Sequence, residues 1–597
     1  MIMKSLEYPF DSEYILKKKK SIKRTLQEEM GSNYIEKKIA ILGGSTTTDI
    51  KLILELFLLN SGIKPIFYEA EYNQYYQEIM FPNPVLEKFQ PDIIFFHTTN
   101  RNVVDWPSLS MSEDDIAEML EAEVQKYFNM WDKARDIYHC TIIQNNFEYP
   151  SYRLLGNRDI SDIHGRVNYI LKLNMRFNKY AQLHENFYIH DINYLSATYG
   201  LDVWNDAFYW HMYKYSPAVP AIPEFCYSLF RIIKSLYGKN KKVLVLDMDN
   251  TLWGGVLGDD GVDNIEIGQE TSVGQVYSEF QKYLKEHLEL GVLLCVNSKN
   301  NLETAVEGLR RPDSVLKESD FQIIKANWES KDRNMAALAE ELKLMPESMV
   351  FVDDNPAERE IVRCQIKGCA VPELEKPEYY IRILDKAGFF EVTNLSEDDL
   401  KRNMMYKENQ KRAESQKEFS DYSEYLISLD MEAQIKSFEP MYMSRISQLT
   451  NKSNQFNLTT KRYSQTEIED TAKNSEYITL YGRLEDKFGD NGVVSVVIGK
   501  NVEYVLHIDL WIMSCRVLKR DMEYAMMDSL VRQCIKREIR EIRGYYYPTK
   551  KNGMVKDFYQ VQGFTKISED SEGNTVWSML IDGNYKNKNN VITVEEN

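Results

Sequence analysis

Lys242-Val-Leu-Val-Leu-Asp-Met-Asp-Asn-Thr-Leu-Trp253 is an apolar run that ends in two carboxylates and a hydroxyl. Val243 to Leu246 are continuous, aliphatic and rich in β-branched residues, which suits a strand buried on both faces of a parallel sheet. The carboxyl end of such a strand opens into a ligand crevice. Asp247 stands there as a candidate nucleophile toward phosphorus, provided a divalent cation offsets the repulsion between two anions. Asp249, two residues on, faces the same crevice and suits a general acid that later acts as base. Thr251 is expected to orient that second carboxylate and to line the substrate site.

Further along, the same pattern returns. Gly291-Val-Leu-Leu-Cys-Val-Asn-Ser298 reads as a second buried strand, ending in a hydroxyl able to hold a phosphoryl oxygen. Lys331, in Trp328-Glu-Ser-Lys-Asp-Arg, supplies a cation for the transferring group. Met349-Val-Phe-Val-Asp-Asp-Asn355 is a third strand, and its Asp353-Asp354 pair offers the oxygen ligands that Mg2+ prefers. Asp, Ser, Lys and Asp-Asp in this order resemble the four motifs of the haloacid dehalogenase (HAD) superfamily of phosphatases. The resemblance implies a doubly wound parallel sheet with Asp247 as nucleophile, Asp249 as acid/base, and Ser298 and Lys331 as phosphate binders. It also implies a Mg2+ site drawn from Asp247, Asp249, Asp353 and Asp354. Between the first two motifs, Trp253-Gly-Gly-Val-Leu-Gly-Asp-Asp-Gly261 is too glycine-rich and short for a cap domain, so a small flap is expected.

Composition bounds the rest. A chain of 597 residues exceeds what one core holds, and 43% hydrophobic content supports packing throughout. Lys+Arg 73 against Asp+Glu 91 leaves a net charge of −18, which argues against general affinity for nucleic acid or anionic membrane. Leu52 to Leu59, interrupted by Glu55, is too short to cross a bilayer, and the first residues lack the pattern of an export signal. Seven scattered cysteines without paired spacing fit reduced thiols, and a cytoplasmic location is the expectation.

Three segments follow in order: residues 1–223, 224–395 and 396–597. In the first, Lys38-Ile-Ala-Ile-Leu-Gly-Gly-Ser-Thr-Thr-Thr-Asp49, Asp92 to His97 and Cys140 to Gln144 read as strands between helices, an α/β layered domain. Ser45 and Asn100 after two of these strands resemble the serine and asparagine blocks of SGNH hydrolases. The closing Asp-x-x-His of that family is missing, since Asp206 and His211 lie five apart, which favours a degenerate, structural or carrier-docking role over a working triad. His190 is read as a strand-end histidine rather than a base. Pro217-Ala-Val-Pro-Ala-Ile-Pro223 marks the expected boundary.

The third segment opens with helix-forming sequence from Ser396. It continues through Asn454-Gln-Phe-Asn-Leu-Thr-Thr460, Asp486-Lys-Phe-Gly-Asp-Asn-Gly492, strands near 493–498 and 504–511, and a helix from about Asp521 to Arg537. With Ser514-Cys-Arg-Val-Leu-Lys-Arg-Asp521 this resembles the α+β core of the acyl-CoA N-acyltransferase (GNAT) superfamily. That superfamily grips CoA pyrophosphate with Arg-x-x-Gly-x-Gly; here Lys519 and Asp521 occupy the glycine positions, which argues against CoA.

Asn-Thr-Leu-Trp-Gly-Gly, Asn-Trp-Glu-x-Lys, Val-Asp-Asp-Asn-Pro-x-Glu-Arg, Asn-Gln-Phe-Asn-Leu-Thr-Thr and Ser-Cys-Arg-Val-Leu together resemble FkbH-like proteins of HAD subfamily IIIC. The resemblance implies a glyceryl transferase/phosphatase that takes a glyceryl unit from 1,3-bisphosphoglycerate, removes phosphate and loads an acyl carrier protein on its phosphopantetheine thiol. Cys515 then has two readings. It is a relay nucleophile beside Arg516, activated by His507 and Asp509, or a small residue packing the sheet. The alternatives are a carrier-independent phosphatase acting on a small phosphorylated metabolite, and a non-catalytic assembly protein.

Overall fold

The computed structural model describes residues 3–29, 34–453, 455–549, 551–581 and 585–596. Asn454 of the asparagine-rich motif and the first two residues of the chain lie outside them. Two compact units divide the chain, Met1–Leu236 and Tyr237–Asn597.

The first unit is built on five strands: β1 (Ile35–Gly43), β2 (Ile63–Glu69), β3 (Ile93–His97), β4 (Thr141–Asn145) and β5 (Phe187–His190). All pair in parallel, in the order β2-β1-β3-β4-β5. Ile-Ile-Phe-Phe-His of β3 is buried along its length, as a central strand covered on both faces requires. One face carries an aromatic core of Tyr127, Trp131, Phe147 and Phe177. The expected break at Pro223 falls inside this unit. The prolines instead lead into helix Ile222–Leu236, whose Tyr227 and Phe230 rings lie 5.2 and 5.9 Å from Phe57 of helix Thr48–Asn60. That buried apolar face moves the division to Leu236.

In the second unit, β6 (Val243–Leu246), β7 (Leu293–Ser298), β8 (Phe321–Ala326) and β9 (Met349–Val352) form a parallel sheet in the order β8-β7-β6-β9. Alternation along β6 splits its residues between two cores. Leu244 and Leu246 pack with Phe280 and Leu284 of helix Ser272–Glu289. Val243 and Val245 pack with Met335 and Leu338 of helix Lys331–Glu341. This is the doubly wound HAD-like arrangement that the sequence predicts. The flap is present as a short helix, Leu257–Asp260, beside an antiparallel bridge between Gly254 and Glu266.

The remaining strands are β10 (Met431–Lys436), β11 (Phe456–Asn457), β12 (Tyr477–Asp486), β13 (Gly489–Val502), β14 (Val505–Met513), β15 (Glu541–Tyr546), β16 (Thr565–Glu569), β17 (Thr575–Leu580) and β18 (Ile592–Glu596). They make one mixed sheet in the order β16-β17-β15-β14-β13-β12-β10-β18, with β11 on β14. Helix Met522–Lys536 covers one face, and Ile446, Leu449 and Ile468 of two further helices pack on the other. This is the α+β part of the chain that the sequence predicts.

Helix Arg402–Gln416 ties this sheet to the HAD-like one. At one end Arg402 donates to the Gly291 carbonyl at 2.8 Å, where the Asp399 backbone comes so close that a Cβ on Gly291 would lie 1.8 Å from its oxygen. At the other, Arg412 forks onto fully buried Asp486 at 2.7 and 2.8 Å. Among the described residues no helix is long and apolar enough to cross a membrane.

Candidate active site

Four loops leave the carboxyl ends of β6 to β9 and converge. Lys331, the first residue of its helix and only 2% exposed, donates to Asp247 Oδ1 at 2.6 Å and to the Asn297 carbonyl at 2.7 Å, and lies 3.1 Å from Asp353 Oδ2. Burial alone would depress the lysine pKa. Asp247 and Asp353 outweigh it and hold the ammonium charged. Burial raises Asp353, against the pull of Lys331, and it raises Asp354, with the Asp247 charge adding to the effect.

Asp247, Asp353 and Asp354 each offer an oxygen within 4.8 Å of the others. Three carboxylates facing one buried ammonium leave an excess of negative charge. Asp353 Oδ2 is fully buried and, apart from the Lys331 ammonium at 3.1 Å, has no partner among the described residues. A buried oxygen with accepting capacity to spare, within an all-carboxylate set, is the donor chemistry a hard divalent cation needs.

Asp249, expected among the metal ligands, is not in that group. Its Oδ1 accepts from Trp253 Nε1 at 3.0 Å and from the Leu257 N–H at 3.1 Å, and its Oδ2 accepts from Asn300 at 3.2 Å. The carboxylate is turned to the flap, and burial raises its pKa despite those donors. Thr251 also differs from expectation. It is fully buried, and its Oγ1 accepts from the Asp354 N–H at 3.2 Å, so it positions the Asp353-Asp354 loop rather than Asp249 or a substrate. Ser298 stands at the end of β7, where its carbonyl accepts from the Asn327 N–H at 3.1 Å.

The sequence reading overlooked the asparagines. Asn297 donates to the Lys331 carbonyl and accepts from Asn334, and Asn334 exchanges bonds with Asn327. Asn297 ends a strand beside Ser298 and Asn327 follows the next strand, while Asn334 lies in the first turn of the Lys331 helix.

Cys515 does not join this site. It packs against the core that contains Val243, Val245 and Cys295, and it neighbours Lys242 at the start of β6, the end away from Asp247. His507 is bonded to Tyr545 and Asp509 to Lys461, so neither activates the thiol. In the loop that follows, Lys519 and Asp521 adopt φ of 66° and 61°, a left-handed backbone reached without glycine. Arg516 and Arg520 there are spent on Asp398 and Asp486, which leaves Asp521 to repel an anion at the helix start.

In the first unit, Ser45 Oγ lies 2.9 Å from His97 Nε2, and His97 Nδ1 lies 2.9 Å from Asn145 Nδ2. The second amide hydrogen of Asn145 reaches the Thr98 carbonyl at 3.2 Å, which fixes the amide's direction. Asn145 therefore donates to Nδ1, His97 carries its proton on Nε2, and Ser45 receives it while donating to the Ser216 carbonyl at 3.3 Å. This polarity is the reverse of what a serine nucleophile needs. Asn100 is tied to the Glu148 and Tyr149 carbonyls, Asp206 caps helix Ala207–Tyr213, and His211 is exposed. His190 does end β5; its Nδ1 bonds Asn145, but its buried Nε2 has no partner.

Residues 38–234 match the model of the FkbH N-terminal domain. Alongside that match, the chain is similar to a solved N-terminal part of a Bacteroides fragilis protein containing a phosphatase domain complexed with Mg. Identity there is 29% over 63% of this chain and 99% of that one, with a TM-score of 0.59. Ribosomal-protein-S18-alanine N-acetyltransferase from Escherichia coli aligns with 26% of this chain and 99% of its own at 12% identity and a TM-score of 0.20. No curated protein matches the chain.

Proposed function

We propose that this FkbH-type chain is a Mg2+-dependent HAD-type phosphatase that removes phosphate from a small phosphorylated metabolite. The observation that carries the reading is the convergence of Asp247, Asp353 and Asp354 around buried Lys331. The magnesium of the Bacteroides fragilis relative adds support.

Asp247, Asp353 and Asp354 would hold the ion, which supplies charge neutralisation for an incoming phosphoryl group. Asp247 attacks phosphorus, the bond to the leaving oxygen breaks, and an aspartyl-phosphate forms. Asp249, whose raised pKa favours a proton, delivers that proton to the leaving oxygen and then takes one from the hydrolytic water. Lys331 and Ser298 steady the phosphoryl oxygens, and Thr251 positions the Asp354 loop.

Phosphate release from a panel of acyl phosphates and phosphate monoesters should require Mg2+ and fall by about a thousandfold or more in Asp247→Asn. Undiminished release by that variant, with the fold intact by circular dichroism, would sink the reading.

A second reading is favoured by the FkbH match: glyceryl transfer from 1,3-bisphosphoglycerate to the phosphopantetheine thiol of an acyl carrier protein. An acyl phosphate is already activated, so a carrier thiol can accept the unit without CoA. Intact mass spectrometry of the cognate carrier after incubation tests it, and an unmodified carrier rejects it.

A further inference from the structure

The segment Gln455 to Thr460 takes no part in the phosphoryl site, yet three backbone irregularities meet around it. In β14 the register with β13 skips a residue, because Ile498 faces Leu510 while Gly499 faces Ile508, which leaves Asp509 as a bulge. Thr460 has φ of +60°, a left-handed conformation that costs a β-branched residue, and Asn457 Oδ1 holds it there by accepting from its N–H at 2.8 Å. Thr459 Oγ1 then donates to the Asp509 carbonyl at 2.7 Å, joining turn to bulge. Strand β14 also leaves β15 early, the two pairing only over Val505–His507.

Between them lies a pocket of about 410 Å³ lined by Thr459, Lys461, Lys500, His507, Asp509 and Tyr545 among others. That volume suits a small molecule. Lys461 Nζ lies 2.7 Å from Asp509 Oδ1, His507 Nδ1 bonds Tyr545 Oη at 2.6 Å, and Lys500 faces His507 across the sheet. Burial, with Arg543 nearby, lowers the His507 pKa from its ordinary value. Two lysines against one aspartate make the lining net positive in a chain whose charge is −18. Strained backbone and a bulge that aim polar side chains into a concavity of opposite charge to the whole molecule are features of a ligand site.

We infer that this pocket binds a small organic anion, its carboxylate or phosphate held by Lys461 and Lys500 and its body lying against Tyr545. The site is separate from the phosphoryl crevice and does not depend on the reaction proposed there.

Isothermal calorimetry on the full chain tests the inference with glycerate, glycerol 3-phosphate and inorganic phosphate as probes. At least one probe should bind, with affinity lowered about tenfold in Lys500→Ala and in Lys461→Ala. Which probe binds separates a carboxylate ligand from a phosphate one. Lys500 Nζ meets Glu476 at 3.6 Å on the surface and lies 5.7 Å from the Tyr477 ring centre, so its substitution leaves the fold intact even if removal of Lys461 disturbs Asp509. No heat from any probe, or affinity untouched by Lys500→Ala, overturns the inference.

Discussion

Lys331 is the residue on which the phosphoryl crevice depends electrostatically. It is buried against Asp247 and Asp353, so a neutral replacement leaves carboxylates packed together without their counter-charge. Lys331→Met should cost about 3–5 kcal/mol in urea unfolding without metal, and added Mg2+ should restore part of it. Cys515 is the opposite case. Its place at the far end of β6, away from Asp247, predicts that Cys515→Ala leaves the rate of phosphate release unchanged. Asp247, Lys331 and Asp353 were legible in the sequence because each directly follows a recognisable strand or opens a helix. The metal role read for Asp249 and the orienting role read for Thr251 differ from the structure for one reason: the spacing of side chains along a loop does not say which neighbouring loop each will bond. Asn297 and Asn334 were missed because an amide that props up a lysine has no pattern of its own.

At the scale of elements, short strands deliver the chemistry and the loops align it. Thr251 links the loop after β6 to the loop after β9 through a single bond to the Asp354 N–H. Thr251→Val keeps the shape and removes the acceptor, so Mg2+ affinity measured by calorimetry should fall about ten- to a hundredfold. An unchanged affinity would mean the loop holds its position without the bond. Strand prediction succeeded wherever a continuous apolar run met a polar end, as in β3, β6, β7 and β9. It fell short in the third sheet. There β13 and β14 run longer than the apolar stretches at 493–498 and 504–511 suggest, because cross-strand pairing carries Lys500 and Asn501 into the ladder. A bulge such as that at Asp509 depends on the partner strand and leaves no trace in a single segment.

For the whole molecule, charge burial sets the response to acid. In the first unit burial lowers His97 to about 4 and His190 to about 3, and it raises Glu148 to about 7. Unfolded histidines take up protons below 6.5 that the folded ones refuse, so acidification withdraws stability there. Glu148 opposes this, since the folded carboxyl accepts a proton between 7 and 4.5 before the unfolded one does. Each histidine withdraws about 1.4 kcal/mol per pH unit below about 6.5 down to its folded value, and Glu148 returns about as much between 7 and 4.5. Urea unfolding of Glu148→Gln should therefore decline more steeply than that of the parent chain from pH 6.5 to 4.5, and parallel profiles would contradict it. Domain number was harder to read than domain type. The prolines near residue 220 looked like a linker, yet the helix they introduce is bound into the first unit by rings that only the folded sheet brings together. The flap between Trp253 and Gly261 bears on timing. Among the described residues the connections between β6, β7 and β8 carry this flap and no cap domain. In the proposed reaction an aspartyl-phosphate has no large lid to shield it from water, so any other acceptor has to be in place before the phosphoryl bond is made.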